Sequence, residues 1–152
     1  MNYLNDREGD MVIAVGSDHA GFELKEKLAE HLKERGFTVL NMGTDSDLSC
    51  DYPDYAQKVA KAVVDKDAQL GLLVCGTGIG MSIAANKVRG IRAAVLSDEF
   101  SAEATRSHND ANILCLGARV VDEERAKKLL DIFLDTPFSN EEKHIRRINK
   151  IE

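Results

Sequence analysis

Tryptophan is absent from this sequence, and aromatic residues of any kind are scarce. They make up 5% of the chain, so a row of rings on which the bases of single-stranded nucleic acid could stack is not expected. The formal net charge of -6 also argues against a broad basic surface for nucleic acid. No apolar run approaches the roughly 18 residues that a membrane helix needs. We therefore expect neither nucleic acid nor a membrane as a partner.

Cysteine is also rare, since the chain has only Cys50, Cys75 and Cys115. An odd number of cysteines without a Cys-x-x-Cys pair suits a reducing cytoplasm and not a disulfide framework. No cluster of histidine and cysteine has the spacing of a zinc site. The expectations are a cytoplasmic protein and no bound metal.

The length of 152 residues predicts one domain with a sizeable core. Residues 1–10 are polar and mixed in charge, and they lack the apolar segment of a signal peptide. We expect a flexible N-terminal extension over residues 1–10 and a single domain over residues 11–152. The domain ends in a basic helical tail over residues 138–152.

Short apolar runs alternate with helical patterns along the domain, which predicts a parallel sheet with helices on both faces. The first helix has leucines at Leu24, Leu28 and Leu32, which is the spacing of one helix face. Phe22, Lys25 and Ala29 fall on different faces and form no such stripe. The predicted strands span 11–16, 37–40, 70–74, 91–96 and 112–116, and the predicted helices span 21–35, 53–64, 80–87, 99–107 and 123–134.

The third predicted strand leads directly into the most informative segment of the chain. It ends at Cys75, passes through Gly76, Gly78 and Gly80, and opens into a helix of small residues. Backbone N–H groups at such a turn can bind an anion, and a helix N-terminus favours the thiolate form of a nearby cysteine. A thiolate beside an anion-binding loop is a catalytic arrangement. A small buried side chain at a strand end is the simpler interpretation of Cys75.

A dinucleotide site is an alternative interpretation of the same glycines. The fingerprint Gly-x-Gly-x-x-Gly needs glycine where Met81 stands, and no Walker pattern follows. Asp98, about 20 residues downstream, favours the dinucleotide interpretation. The position of the loop after the third strand, and not the first, favours phosphate or enediolate binding.

Polar residues follow three of the predicted strands: 17–19 after the first, 75–80 after the third and 97–98 after the fourth. Since ligands of parallel sheets collect at the carboxyl ends of strands, we expect these segments to share one crevice. Asp18 and His19 suit proton transfer, although Asp18 is also a reasonable helix cap. His108, at a predicted helix C-terminus, is on its own more simply a partner of the helix dipole than a catalytic group.

The tail carries Lys143 and Arg147 four residues apart, so both lie on one face of a helix. A solvated or partner-binding helix, whose isoleucines pack on the body of the protein, is the simpler interpretation. Phosphate binding is the alternative, because positive charge stands out in an acidic protein.

Five ordered motifs together resemble the type B ribose-5-phosphate isomerases, a family that includes the subunits of galactose-6-phosphate isomerase. The motifs are Gly-Ser-Asp-His-Ala-Gly-Phe at 16–22, Asp-Tyr-Pro-Asp-Tyr-Ala at 51–56, the glycine-rich segment 75–87, Gly-Ile-Arg-Ala-Ala at 90–94 and Ser-His-Asn-Asp-Ala-Asn at 107–112. The resemblance implies a Rossmann-like three-layer α/β fold with a five-stranded parallel sheet. It also implies a homodimer, sometimes paired into tetramers, whose active sites use residues from both chains and need neither metal nor organic cofactor.

The resemblance implies catalytic roles by position. Cys75 is the base that moves a proton between C1 and C2, and Thr77 hydrogen-bonds a sugar oxygen. Asp18 and His108 open the furanose ring and help to move hydroxyl protons.

The resemblance also implies binding roles. The residues assigned to the sugar and the enediolate are Gly76, Gly78, Ile79, Gly80, Asn109 and Tyr52. Those assigned to the phosphate are His19, Arg119, Lys143 and Arg147, with the tail reaching across the dimer. The family commonly has arginine at the position of Lys143, and lysine replaces its bidentate fork with a point charge. Glu141 and Glu142 replace a common Gly-Gly pair.

The expected reaction is the interconversion of ribose 5-phosphate and ribulose 5-phosphate. One alternative is the same mechanism on a hexose 6-phosphate, allose or galactose 6-phosphate. The other alternative is a non-catalytic module that binds a nucleotide or a sugar phosphate.

Overall fold

The computed structural model describes residues 11–152, so the extension expected at residues 1–10 lies outside the described residues. Strands and helices alternate through the described part of the chain, and one more helix follows at its end. The elements are β1 (Val12–Ser17), α1 (Phe22–Glu34), β2 (Thr38–Asn41), α2 (Tyr52–Val64), β3 (Leu70–Cys75), α3 (Ile79–Ala85), β4 (Ala93–Val95), α4 (Glu99–Ser107), β5 (Ile113–Gly117), α5 (Glu123–Asp135) and α6 (Glu142–Ile151).

The strands form one five-stranded sheet in the order β2-β1-β3-β5-β4. Every neighbouring pair is parallel, with β3 in the centre between β1 and β5. Each crossover between parallel strands returns the chain through a helix, so all strand carboxyl ends lie at one edge of the sheet. The predicted α/β fold with a five-stranded parallel sheet is confirmed.

Both faces of the sheet are buried, which explains why the strands are continuously apolar. Successive strand residues point to opposite faces, so Leu72 joins the core beneath α1, α4 and α5, whereas Leu73 joins the core beneath α2 and α3. Val59 of α2 and Leu129 of α5 are fully buried in these two cores. The result is a three-layer Rossmann-like sandwich.

The buried face of α1 is wider than the leucine spacing predicts. Leu24, Leu28 and Leu32 are buried as expected. Lys25 and Ala29 are buried as well, although they lie outside the leucine stripe. Each lies one residue after a leucine of the stripe, and β2 and its following loop cover that side of the helix.

The predicted element boundaries hold to within a few residues, and β4 shows the clearest difference. A strand was predicted over 91–96, but β4 is an edge strand paired with β5 alone through Ala93–Val95. The backbone N–H of Arg92 donates to the Asn112 side chain at 2.8 Å and not to the backbone of a neighbouring strand. Across residues 11–152, no helix is both long enough and apolar enough to cross a membrane.

Candidate active site

The loop after β3 holds a buried thiol against a backbone donor. Cys75 ends β3, and the N–H of Gly78 donates to its Sγ at 3.1 Å. Gly78 has φ of 79°, and a Cβ there would lie 2.9 Å from the Leu116 backbone, so only glycine fits without strain. The turn therefore fixes a backbone N–H donor directly against the sulfur of Cys75.

Gly80 and Tyr52 meet in the first turn of α3. A Cβ on Gly80 would lie 2.7 Å from the Tyr52 ring, so the missing side chain lets the ring cover this turn. The first turn of a helix leaves its N–H groups without partners within the helix. Tyr52 thus forms a wall beside backbone donors that can hold an oxyanion.

Thr77 and Arg119 flank the same loop. The Thr77 hydroxyl oxygen accepts the Ile79 N–H at 3.2 Å, which leaves its O–H to donate to a ligand. The N–H of Arg119 donates to the Gly76 carbonyl at 3.0 Å, and its exposed guanidinium lies over Gly76. A hydroxyl donor and a guanidinium therefore approach the loop from its solvent side.

Asp18 lies beside this loop because β1 and β3 are neighbours. Its N–H donates to the Val74 carbonyl at 3.3 Å, which ties it to the end of β3. Its Oδ1 accepts the Gly21 N–H at 3.0 Å at the start of α1. The N-cap of α1 is Gly21 and no side chain caps the helix, so the capping role considered for Asp18 was wrong. The bond to Gly21 holds Oδ1 in the turn before the helix, and Oδ2 remains available to a substrate hydroxyl.

His19 is oriented by a residue far away in sequence. Its Nδ1 accepts the N–H of Cys50 at 3.2 Å, and this bond assigns the ring proton to Nε2. Nε2–H is then the donor that a phosphate oxygen needs. His19 is only partly buried, so that donor can be reached from solvent.

Cys115 is the other thiol in the core that holds Cys75. Burial raises the pKa of Cys115, and the charge of Cys75 raises it further. Cys115 therefore stays a neutral thiol. Of these two neighbouring thiols, Cys75 alone has a backbone donor directed at its sulfur.

His108 and Asn109 lie at the opposite edge of the sheet. They follow α4, which runs from the carboxyl end of β4 to the amino end of β5. The Asn109 carbonyl accepts from Arg92 Nε at 3.0 Å just before β4 begins, which confirms this placement. His108 and Asn109 are both exposed.

The tail also lies at the amino edge. The predicted helix is present as α6, with Lys143 and Arg147 exposed on it. Its buried residue is His144, whose ring stacks on that of His108 with centroids 4.4 Å apart. Burial lowers the pKa of His144, and the adjacent His108 lowers it further, so His144 favours the neutral form.

The structure therefore divides the predicted site residues into two groups. The group at the carboxyl edge contains Asp18, His19, Tyr52, Cys75, Gly76, Thr77, Gly78, Ile79, Gly80 and Arg119. The group at the amino edge contains His108, Asn109, Lys143 and Arg147. One chain does not bring the two groups together.

The end of β4 approaches the thiol loop, since a Cβ on Gly78 would lie 2.9 Å from the Val95 side chain, and a crevice shared with Ser97 and Asp98 stays a prediction. The sheet order separates β4 from β3 by β5. Asp98 caps α4, accepting the Ser101 N–H at 2.8 Å, and that bond lowers the pKa of its carboxyl. The acidic residue that favoured a dinucleotide site is thus used by a helix N-terminus.

Two residues near the site were missed from the sequence. His144 gave only a weak signal, as one histidine in an amphipathic tail. Cys50 acts through its backbone N–H, which no side-chain pattern reveals. Among residues 11–152, no group of three His, Cys, Asp or Glu side chains is placed to hold a metal ion.

The sheet, the thiol loop and the polar loop beside it fit the α/β sugar-phosphate isomerase that the five sequence motifs predict. A sequence profile described as Ribose/Galactose Isomerase matches residues 13–151. The chain belongs to the ribose/galactose isomerase family.

Individual relatives agree with this assignment over nearly the whole chain. Ribose-5-phosphate isomerase B of Escherichia coli is 48% identical over 139 residues, which cover 91% of this chain and 93% of that protein. The structure of the Clostridium thermocellum ribose-5-phosphate isomerase B superposes with a TM-score of 0.91 at 48% identity, covering 93% of this chain and 95% of that one. A Thermotoga maritima ribose 5-phosphate isomerase gives 0.90 at 51% identity, covering 93% and 97%.

Proposed function

We propose that this protein interconverts ribose 5-phosphate and ribulose 5-phosphate through an enediolate, with Cys75 as the base. The observation that carries the proposal is the buried Cys75 thiol, held at 3.1 Å by the Gly78 N–H within a loop of further backbone donors. The printed names of the relatives, ribose-5-phosphate isomerases, support the choice of substrate. The reaction is a step of the pentose phosphate pathway.

The proton transfer follows from this geometry. The Cys75 thiolate removes the proton from C2 of the open-chain aldose, and the electron pair of that bond forms the C1–C2 double bond as charge moves to O1. Backbone N–H groups of residues 76–80 stabilise that charge. The thiol then returns the proton to C1, while O2 loses its hydroxyl proton and O1 gains one. Thr77 donates its O–H to a sugar oxygen.

Ring opening needs groups from both edges of the sheet. Asp18 and His108 move the hydroxyl protons that open the furanose, and Asn109 binds the intermediate. Because these residues lie at opposite edges of one chain, we place His108 and Asn109 of a second copy over the Cys75 loop. The active protein is then a homodimer with two shared sites, and dimer versus tetramer is left open.

Exposed apolar side chains support such a dimer. Ile79 and Ile83 are 53% and 58% exposed on α3, next to the thiol loop. On α6, Ile145 and Ile151 are also exposed rather than packed on the body of their own chain. A second copy that covers both surfaces removes apolar area from water.

The phosphate is bound by hydrogen-bond donors and cations from both copies. His19 Nε2–H and the Arg119 guanidinium approach from the carboxyl edge, and Lys143 and Arg147 of the second copy complete the set. Lys143 contributes charge without the bidentate geometry of arginine. The four residues thereby fix the C5 end of the sugar.

We further propose that the enzyme is a single domain and is cytoplasmic. Residues 11–152 act as one domain, since all strands share one sheet and α6 serves as the tail. Cys50, Cys75 and Cys115 are free thiols, as expected for a cytoplasmic enzyme.

The experiment is a substrate panel run with and without EDTA. Purified protein is assayed with ribose 5-phosphate, allose 6-phosphate and galactose 6-phosphate. We expect kcat/KM for the pentose to exceed that for either hexose by about tenfold or more, since one extra carbon in a fitted pocket costs about 1–3 kcal/mol, and EDTA to leave turnover unchanged.

Other outcomes of the panel assign a different function. Turnover confined to a hexose 6-phosphate would keep the mechanism and overturn the substrate. Binding of a nucleotide or sugar phosphate without turnover of any of the sugars would make the protein a binding module. Loss of turnover in EDTA would contradict the metal-free mechanism.

A further inference from the structure

Among residues 11–152, Lys25 is a charged side chain that the fold buries completely. Its exposed fraction is 0%, although lysine is rarely buried unless its ammonium has partners. Nζ donates to the Thr44 carbonyl at 2.6 Å and to Asn41 Oδ1 at 3.0 Å. It also lies 2.9 Å from the Glu26 carboxylate, and this contact lowers the pKa of Glu26.

These contacts join the first turn of α1 to the segment that follows β2. Asn41 Oδ1 also accepts the Gly43 N–H at 3.0 Å, so one side-chain oxygen links Lys25 to the turn. The Thr44 N–H in turn donates to the Ser17 carbonyl at 2.9 Å. Lys25 therefore holds the segment against α1, and the Thr44 backbone bond holds the same segment against β1.

The same segment continues toward the candidate active site. Six residues after Thr44 it reaches Cys50, whose N–H holds His19 Nδ1, and it then enters α2 at Tyr52. The polar loop that carries His19 lies directly before α1. Lys25 thus ties together the two pieces of chain whose relative position sets the His19 ring.

We propose that Lys25 is a positioning residue for phosphate binding: its ammonium fixes the segment 41–50 so that the Cys50 N–H holds His19 with Nε2–H directed at the phosphate. This proposal rests on the proposed function above, in which His19 binds the phosphate. A methionine would fill nearly the same volume, so packing alone does not require the charge. The Cys75 loop is built on β3 and does not depend on Lys25.

The test compares Lys25→Met with Glu26→Gln. Lys25→Met is expected to raise KM for ribose 5-phosphate and the inhibition constant of inorganic phosphate by about tenfold, the equivalent of weakening one charged hydrogen bond. Its kcat stays within about threefold, because the base and the oxyanion loop are untouched. Glu26→Gln keeps both Nζ hydrogen bonds to Asn41 and Thr44 and leaves KM unchanged.

A double-mutant cycle separates positioning from a merely structural role. In a His19→Asn background, Lys25→Met should change KM less than about twofold, because the group it positions is gone. Equal effects of Lys25→Met in both backgrounds, or a fall in kcat with KM unchanged, would overturn the proposal. A normal KM in His19→Asn alone would instead contradict the phosphate role of His19 in the proposed function.

A spectroscopic measurement is independent of turnover. The ¹⁵N shifts of the His19 ring should show the Nε2–H tautomer in the unaltered protein and a mixed population in Lys25→Met. Unchanged shifts in a folded variant would overturn the positioning role whatever the enzyme acts on. If Lys25→Met fails to fold, Asn41→Ala removes one Nζ acceptor and is expected to shift KM and the tautomer in the same direction, and its failure to do so would overturn the proposal.

Discussion

Cys75→Ala is expected to lower kcat for ribose 5-phosphate by about 10³–10⁴-fold, the upper part of the range for removing a general base. Alanine removes the sulfur that accepts the Gly78 N–H and takes the C2 proton. KM and the affinity for inorganic phosphate should change little, because the phosphate ligands are on other loops. Steady-state kinetics together with phosphate titration measure both effects.

Cys115→Ala is the matched control for this variant. It deletes the other thiol of the same core, which burial keeps neutral, so activity should stay within about twofold while stability falls by about 1 kcal/mol from the small cavity. Circular dichroism confirms that both variants are folded. Turnover by Cys75→Ala within tenfold of the unaltered protein would show that Cys75 is not the base.

Mixing two inactive variants is expected to restore activity. His108→Ala removes the ring-opening group at the amino edge, so its turnover should fall by about 10²-fold or more. Cys75→Ala is inactive because it lacks the base. Each site of the proposed dimer takes Cys75 from one chain and His108 from the other. In a heterodimer of the two variants, one site therefore lacks both groups and the other site has both. Heterodimers isolated with two different affinity tags should therefore show about half of the unaltered activity per dimer.

The homodimers of each variant, purified through the same tags, give the baseline of this experiment. If Cys75 and His108 of one chain acted together, both sites of the heterodimer would carry a defect and its activity would stay at that baseline. That result would contradict the shared site. Recovery to about half would show that the two edges of the sheet meet between copies.

Local features of this fold were readable from the sequence because the chain places them side by side. The apolar run, Cys75 and the alternate glycines are contiguous, so strand, loop and helix follow from their order alone. The leucine stripe of α1 follows equally from its spacing. The same local signal left Lys25 undetected, because its burial depends on the segment after β2.

The arrangement of the site could not be read in this way, because it depends on which strands are neighbours. Local patterns say that Asp98 follows a strand, and only the order β2-β1-β3-β5-β4 shows that this strand lies at an edge. The separation of Cys75 from His108 has the same origin. Because α4 connects two parallel strands, its C-terminal end and His108 lie at the amino edge. In the proposed dimer, Cys75 of one copy meets His108 of the other.

The central claim is proton transfer through an enediolate, and isomerisation in D₂O tests it most directly. Ribose 5-phosphate is incubated with the protein until long after equilibrium, and both sugars are analysed by NMR. Because the thiol of Cys75 exchanges its proton with solvent, deuterium should accumulate at C1 of ribulose 5-phosphate and at C2 of recovered ribose 5-phosphate. Equilibration of the two sugars with no deuterium at either carbon would contradict the mechanism, and no conversion at all would contradict the proposed function.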